Sequence, residues 1–183
     1  RAAAKGAADG AVKNREPPGV EIANYRYLCI MAVIRLTKEF TFEAAHALEG
    51  YDGACRELHG HSYRLYVTVK GRPSECEEDP KQGMVVDFGV LKRIVNEQIV
   101  ARLDHALVLR RTERTAPLVE ALGSRFSNIV LCDWQPTCEN LLSDFAARIA
   151  PRLPAGVTLH ALRLYETATS YAEWYAEDNP DVR

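Results

Sequence analysis

His59-Gly60-His61-Ser62-Tyr63-Arg64-Leu65-Tyr66-Val67-Thr68-Val69-Lys70-Gly71 has the period of a β-strand. Leu65, Val67 and Val69 fall on one side, and Arg64, Tyr66, Thr68 and Lys70 on the other. Side chains alternate in this way when they project to opposite faces of a sheet. Upstream, Val33 to Phe42 reads as a second strand, with Val33, Ile34, Leu36, Phe40 and Phe42 spaced by polar residues. Between the two lies a turn-rich loop, Glu49-Gly50-Tyr51-Asp52-Gly53. A hairpin of this kind sets the end of the first strand beside the start of the second. His46, in Ala44-Ala45-His46, then meets His59 and His61.

Downstream, residues 72–82 are polar, with Pro73 and Pro80, and read as a loop. Asp87 stands where a helix N-cap belongs. Behind it Leu91, Val95, Ile99 and Leu103 form an apolar stripe, and Asp104-His105 close the helix or lie in the turn after it. Residues 110–127 are charged and irregular and suggest a loop with a helical turn; Asn128 to Cys132 has the make-up of a short strand. Pro136-Thr137 opens a second helix, with Thr137 as cap, Glu139 in the first turn, and Leu142, Phe145 and Ile149 as its buried stripe. Val157 to Glu166 alternates again, with Leu162, Leu164 and Glu166 on one face, and Ser170 to Trp174 is a last strand. Strands and helices that do not strictly alternate predict an α+β fold with an antiparallel sheet.

The chain of 183 residues is 47% hydrophobic, enough for one domain with a real core. A formal charge of -2 argues against a nucleic-acid-binding surface and against a polybasic membrane anchor. No apolar run approaches the roughly 20 residues of a membrane span. Five cysteines without framework spacing predict a reduced, cytoplasmic protein. Residues 1–30 differ in character from the rest and are expected to be a disordered leader or an added extension, with Met31 as the natural start and 31–183 as a single domain.

His59 and His61, two residues apart on one strand face with only Gly60 between them, present two imidazoles together, and His46 supplies a third. Neutral imidazole is a preferred zinc ligand, and three protein ligands leave the open position of a catalytic site. Cys55 lies four residues before His59, beside Arg56; a zinc ion and a cation would favour its thiolate, as a base or as a fourth ligand. Asp104 beside His105 suggests a carboxylate orienting an imidazole, or simply a cap and a helix-end histidine. Glu166 ends an apolar strand face and suits a ligand edge carrying adjacent N–H donors.

Phe42-Glu43-Ala44-Ala45-His46, followed by Cys55-Arg56-Glu57-Leu58-His59-Gly60-His61-Ser62-Tyr63, resembles the zinc signature of the 6-pyruvoyltetrahydropterin synthase superfamily. Val86-Asp87-Phe88, Leu103-Asp104-His105, Pro136-Thr137-Cys138-Glu139-Asn140 and Glu166-Thr167 with Ser170-Tyr171 extend the resemblance, in order, over residues 33–175. The Cys-x-x-x-His-Gly-His spacing is similar to the 6-carboxy-5,6,7,8-tetrahydropterin synthases of queuosine biosynthesis, whereas the 6-pyruvoyl branch usually has a longer gap. A third, aldolase-like branch places a Glu three residues before His-Gly-His, and Glu57 does not fit that position.

The resemblance implies the tunnelling fold, with an antiparallel four-stranded sheet and two helices on one face, assembled as a homo-oligomeric dimer of trimers. It implies a zinc enzyme that converts 7,8-dihydroneopterin triphosphate to 6-carboxytetrahydropterin, acetaldehyde and triphosphate. Zinc would sit on His46, His59 and His61; Cys55 would abstract protons; Asp104 and His105 would relay them; and Glu166 would anchor the pterin edge or join the relay. Thr137 and Glu139 would contact the pterin from a neighbouring subunit's edge. Lys92, Arg56 and Arg64 are the candidates for holding the triphosphate. The alternatives are a 6-pyruvoyltetrahydropterin synthase, and a pterin-binding module with structural zinc.

Overall fold

The structure, a computed structural model, describes residues 32–182; the expectations for residues 1–30 and for Met31 lie outside them. Strand β1 (Ile34–His46) pairs antiparallel with β2 (His59–Gly71) along their whole length, from Ile34 opposite Gly71 to His46 opposite His59. The hairpin expected from the alternation is therefore present, and β1 runs four residues beyond Phe42 so that His46 is in the ladder. Phe40, Phe42 and Ala44 of β1 and Tyr63, Leu65, Val67 and Val69 of β2 are buried on one face. On the opposite face Thr37 and Thr68 share a hydroxyl contact of 2.8 Å, and Arg64 lies over the Tyr165 ring at 4.5 Å.

The helix after the 72–82 loop starts where the cap predicted, with the Asp87 carboxylate accepting from Gly89 N–H at 2.6 Å. α1 (Phe88–Val95) passes into a π-helical turn (Asn96–Val100) and a last turn, α2 (Ala101–Leu103). This irregularity follows from the spacing of the stripe. Apolar residues every four positions drift about 40° per step on a 3.6-residue helix, and a π turn absorbs one extra residue. Leu91, Val95, Ile99 and Leu103 all reach the core as a result. α4 (Cys138–Ile149) is capped by Thr137, whose hydroxyl accepts from Asn140 N–H at 3.3 Å, and it buries Leu142, Phe145 and Ile149 as expected. These helices cover the apolar face of the sheet.

The sheet has six strands in the order β4-β3-β1-β2-β5-β6, rather than four. β5 (Val157–Tyr165) and β6 (Tyr171–Tyr175) complete the antiparallel part. β3 (Ala106–Arg110) runs parallel to β1, and β4 (Ile129–Cys132) parallel to β3. The sheet is thus mixed, and the expectation of an all-antiparallel one is corrected. Between β3 and β4 the charged segment forms a true helix, α3 (Ala116–Gly123), with no buried residue. Its crossover allows β4 to return parallel. In β5 the register slips where Thr68 faces Ala161 and Val69 faces Leu159. This bulge at His160 lets Leu159 and Leu162, three residues apart, both face the core.

Candidate metal centre

His46 and His59 sit opposite each other at the open end of the β1–β2 ladder, and His61 pairs with Ala44 one step further in. Gly60 makes this approach possible, because a Cβ there would meet the Ala44 carbonyl oxygen at 3.3 Å. One ring nitrogen from each of the three histidines lies within 4.8 Å of the others. The orientation of two rings is set by carbonyls. His46 Nδ1 is 2.6 Å from the Pro136 carbonyl oxygen, and His59 Nδ1 is 2.8 Å from that of Glu57. Each Nδ1 must carry the proton and donate it, so in the neutral ring each Nε2 keeps its lone pair.

Those two Nε2 atoms are 3.1 Å apart. Two lone pairs at that distance repel unless a cation lies between them. Burial opposes the alternative of a proton: it holds the His46 pKa below the usual 6.5 despite the Pro136 carbonyl and Glu166, and does the same at His61. His61 Nε2 is buried with no hydrogen-bond partner. Three convergent neutral nitrogens, two of them braced by carbonyls behind, match the outer-sphere pattern of metal-bound histidine. Nitrogens on a tetrahedral zinc, with bonds of about 2.0 Å, stand about 3.3 Å apart. The donor set fits a zinc ion.

Around the imidazoles, Glu166 Oε1 stands 3.7 Å from His46 Nε2 and 3.8 Å from His61 Nε2. It accepts from the hydroxyl of Tyr63 at 3.3 Å. Tyr63 is fully buried, stacks on Phe42 at 5.0 Å between ring centres, and has its phenol pKa raised by burial first and by Glu166 second. It is a neutral donor that orients the carboxylate. Sequence reading gave Tyr63 no role, although its place two residues beyond His61 puts it on the same strand face.

Asp104 and His105 are brought together, with Oδ1 and Nδ1 3.1 Å apart. Asp104 Oδ1 also accepts from Glu43 N–H at 3.0 Å, the main reason its pKa lies below the ordinary carboxylate value. His105 has φ of 59°, a left-handed conformation uncommon outside glycine. Its own N–H bonds the Glu43 carbonyl at 2.6 Å, which offsets that strain and aims the ring outward, 79% exposed. His105 and His61 line the same groove, of roughly 610 Å³.

Cys55 is exposed in the 3-10 turn Ala54–Arg56 and is not a member of the three-histidine group. Cys138 is no substitute base, since burial pushes its thiol up to about 11. Thr137 is committed to capping α4, and Glu139 is exposed in its first turn; the link from this segment to the centre is the Pro136 carbonyl on His46. Of the cations considered for the triphosphate, Arg56 pairs with Glu57 at 2.9 Å and Arg64 lies on the far face of the sheet. None of Lys92, Arg56 and Arg64 lines the groove; Arg125 does, and sequence reading did not single it out.

Fold and site together define an α+β protein with an open three-imidazole centre at the mouth of its first hairpin. The chain belongs to the family described as 6-pyruvoyl tetrahydropterin synthase, whose profile matches residues 35–177. It is 33% identical over 143 residues to a Haemophilus influenzae protein named 6-carboxy-5,6,7,8-tetrahydropterin synthase, covering 78% of this chain and 99% of that one. A Synechocystis protein of the same name is 34% identical over 142 residues, covering 76% of this chain and 91% of its own. The solved structure of Caenorhabditis elegans 6-pyruvoyl tetrahydropterin synthase shares the fold, with a TM-score of 0.56 at 21% identity over 79% of this chain and 96% of that one. An uncharacterized Wolinella succinogenes protein aligns with a TM-score of 0.62, at 21% identity over 79% of this chain and 99% of its own. Among the described residues, no helix is long and apolar enough to cross a membrane.

Proposed function

We propose that this protein is a zinc-dependent 6-carboxy-5,6,7,8-tetrahydropterin synthase, acting on 7,8-dihydroneopterin triphosphate in queuosine biosynthesis. The observation that carries the reading is that one ring nitrogen each of His46, His59 and His61 lies within 4.8 Å of the others, with the Glu166 carboxylate beside two of the rings and an Asp–His pair whose histidine lines the same groove as His61. Relatives of that name at 33% and 34% identity support the choice of substrate.

His46, His59 and His61 would hold the zinc. When bound it supplies Lewis acidity toward the substrate's side-chain oxygens. The protein's own groups do the remaining work. Cys55, four residues ahead of His59 on an exposed turn, is the proton-abstracting group of this reading. Asp104, ionised and held by Glu43 N–H, orients through Nδ1 the His105 ring that lines the groove, and His105 moves the proton. Glu166 offers its carboxylate to the pterin's adjacent N–H donors, with Tyr63 keeping it in place. Thr137 and Glu139, at the start of α4, are contacts for a pterin bound across a subunit boundary in a dimer of trimers. A cytoplasmic location fits the free thiols among the described residues, at Cys55, Cys76, Cys132 and Cys138.

The test is incubation of the zinc-loaded protein with dihydroneopterin triphosphate. Acetaldehyde and a 6-carboxypterin are expected. A pyruvoyl product, trapped only by a reductase, would overturn the carboxy reading, and tight pterin binding without turnover would overturn the enzyme reading.

A further inference from the structure

The groove that His61 and His105 line continues along β3 to the C-terminal end of α3. Leu58, Leu107 and Phe126 form much of its wall, and Arg125 is the one arginine or lysine among its lining residues. Arg125 is exposed, and no carboxylate among the described residues is paired with it, whereas Arg56, Arg93, Arg148 and Arg163 each have an acidic partner. The groove's own acidic side chain, Glu43, is turned to Ser62 Oγ at 2.7 Å. A guanidinium without a carboxylate partner in the same apolar groove as two imidazoles suits an anion that spans both. Guanidinium meets phosphate oxygens through paired N–H donors, and apolar walls reduce the water that would screen the charge.

We propose that Arg125 receives the polyphosphate tail of the substrate, with the helix-bearing segment between β3 and β4 forming the wall of that subsite. The proposal rests on the functional reading above. A substrate whose reacting carbons lie at His61 and His105 extends along this groove and meets Arg125 before any other cation of the groove wall. The segment that carries it, residues 111–128, has no buried helical residue of its own in α3. Its contribution is thus a surface, not a piece of the core.

Calorimetric titration of inorganic triphosphate into the zinc-loaded protein tests this, with metal content checked before and after. Arg125→Gln is expected to weaken binding about tenfold or more, the usual loss for a charge-assisted hydrogen bond. Arg125→Lys should recover part of it, and Arg56→Gln should bind as the wild type does. With the full substrate, Arg125→Gln should raise KM and leave kcat nearly unchanged, while binding of phosphate-free dihydroneopterin stays the same. Equal triphosphate affinity in wild type and Arg125→Gln, or no triphosphate binding by the wild type, would overturn the subsite. Arg125-dependent triphosphate binding in a protein that releases no acetaldehyde would count against the reaction and leave the subsite standing.

Discussion

His46 stands directly across the β1–β2 ladder from His59, and their Nε2 atoms face each other at 3.1 Å. Both rings are turned by carbonyls behind them, Pro136 for one and Glu57 for the other. Two strands and the residue before α4 are therefore needed to hold these imidazoles together. Zinc-loaded protein should contain one metal per chain, and His46→Ala, His59→Ala and His61→Ala should each lose it. Metal should also raise thermal stability, by about 4 kcal/mol at a thousandfold excess over Kd. Metal analysis of the purified variants checks this; full occupancy in any of the three would exclude that histidine as a ligand.

The same imidazoles give the metal-free protein a pH dependence. Burial lowers the pKa of His46 and His61 in the fold below the usual 6.5. In the unfolded chain both bind protons near that value, so below it the unfolded state holds more protons than the folded one. Stability is then fully present above about pH 6.5 and is lost as pH falls toward the lowered folded values. Urea midpoints of the metal-free protein should drop between pH 7.5 and 5.5. The drop should shrink in His46→Gln and His61→Gln, and a flat profile in the wild type would contradict the burial argument.

Most of this site was legible because it is local. His59 and His61 share a strand face by simple parity, and a hairpin brings in His46. The caps at Asp87 and Thr137 placed both major helices. What escaped notice lacks a periodic signal. β3, Ala106-Leu107-Val108-Leu109-Arg110, is an apolar run without alternation, as a strand covered on both faces must be. α3 reads only as a helical turn, because its short apolar set, Leu118, Val119 and Leu122, sits among flanking charged residues and buries nothing. The bulge in β5 shows only as a break of parity between Leu159 and Leu162. Tyr63 meets Glu166 across 103 residues of chain, a pairing that only the β2–β5 register creates.

Cys55 tests whether proton transfer is separate from metal binding. It lies outside the imidazole group, on a turn whose backbone is tied to β1's end by Leu48 N–H donating to the Cys55 carbonyl at 3.0 Å. Cys55→Ala should keep its metal and fold, and lose turnover by about 10²–10⁴-fold, the range for a general base. Steady-state rates with metal content on the same sample decide it. Near-normal turnover would remove Cys55 from the mechanism.

Glu166 sits between two roles, and its position makes them separable. Its Oε1 is within 3.8 Å of two imidazole Nε2 atoms, yet it also accepts from Tyr63, and the side chain is part-exposed. If it anchors the pterin, Glu166→Gln replaces one acceptor oxygen by a donor facing the ring's N–H groups. Affinity for an unreactive pterin should then fall about tenfold or more, while three imidazoles still hold the metal. If it is instead a metal donor, the same variant should lose metal affinity and bind pterin nearly as before. Tyr63→Phe separates the cases further, because it frees the carboxylate without removing it. A smaller loss of pterin affinity in Tyr63→Phe than in Glu166→Gln, with metal retained in both, is the outcome expected of an anchor held by a buried phenol. Pterin fluorescence titration beside metal analysis reads both quantities, and unchanged pterin affinity in Glu166→Gln would defeat the anchoring role.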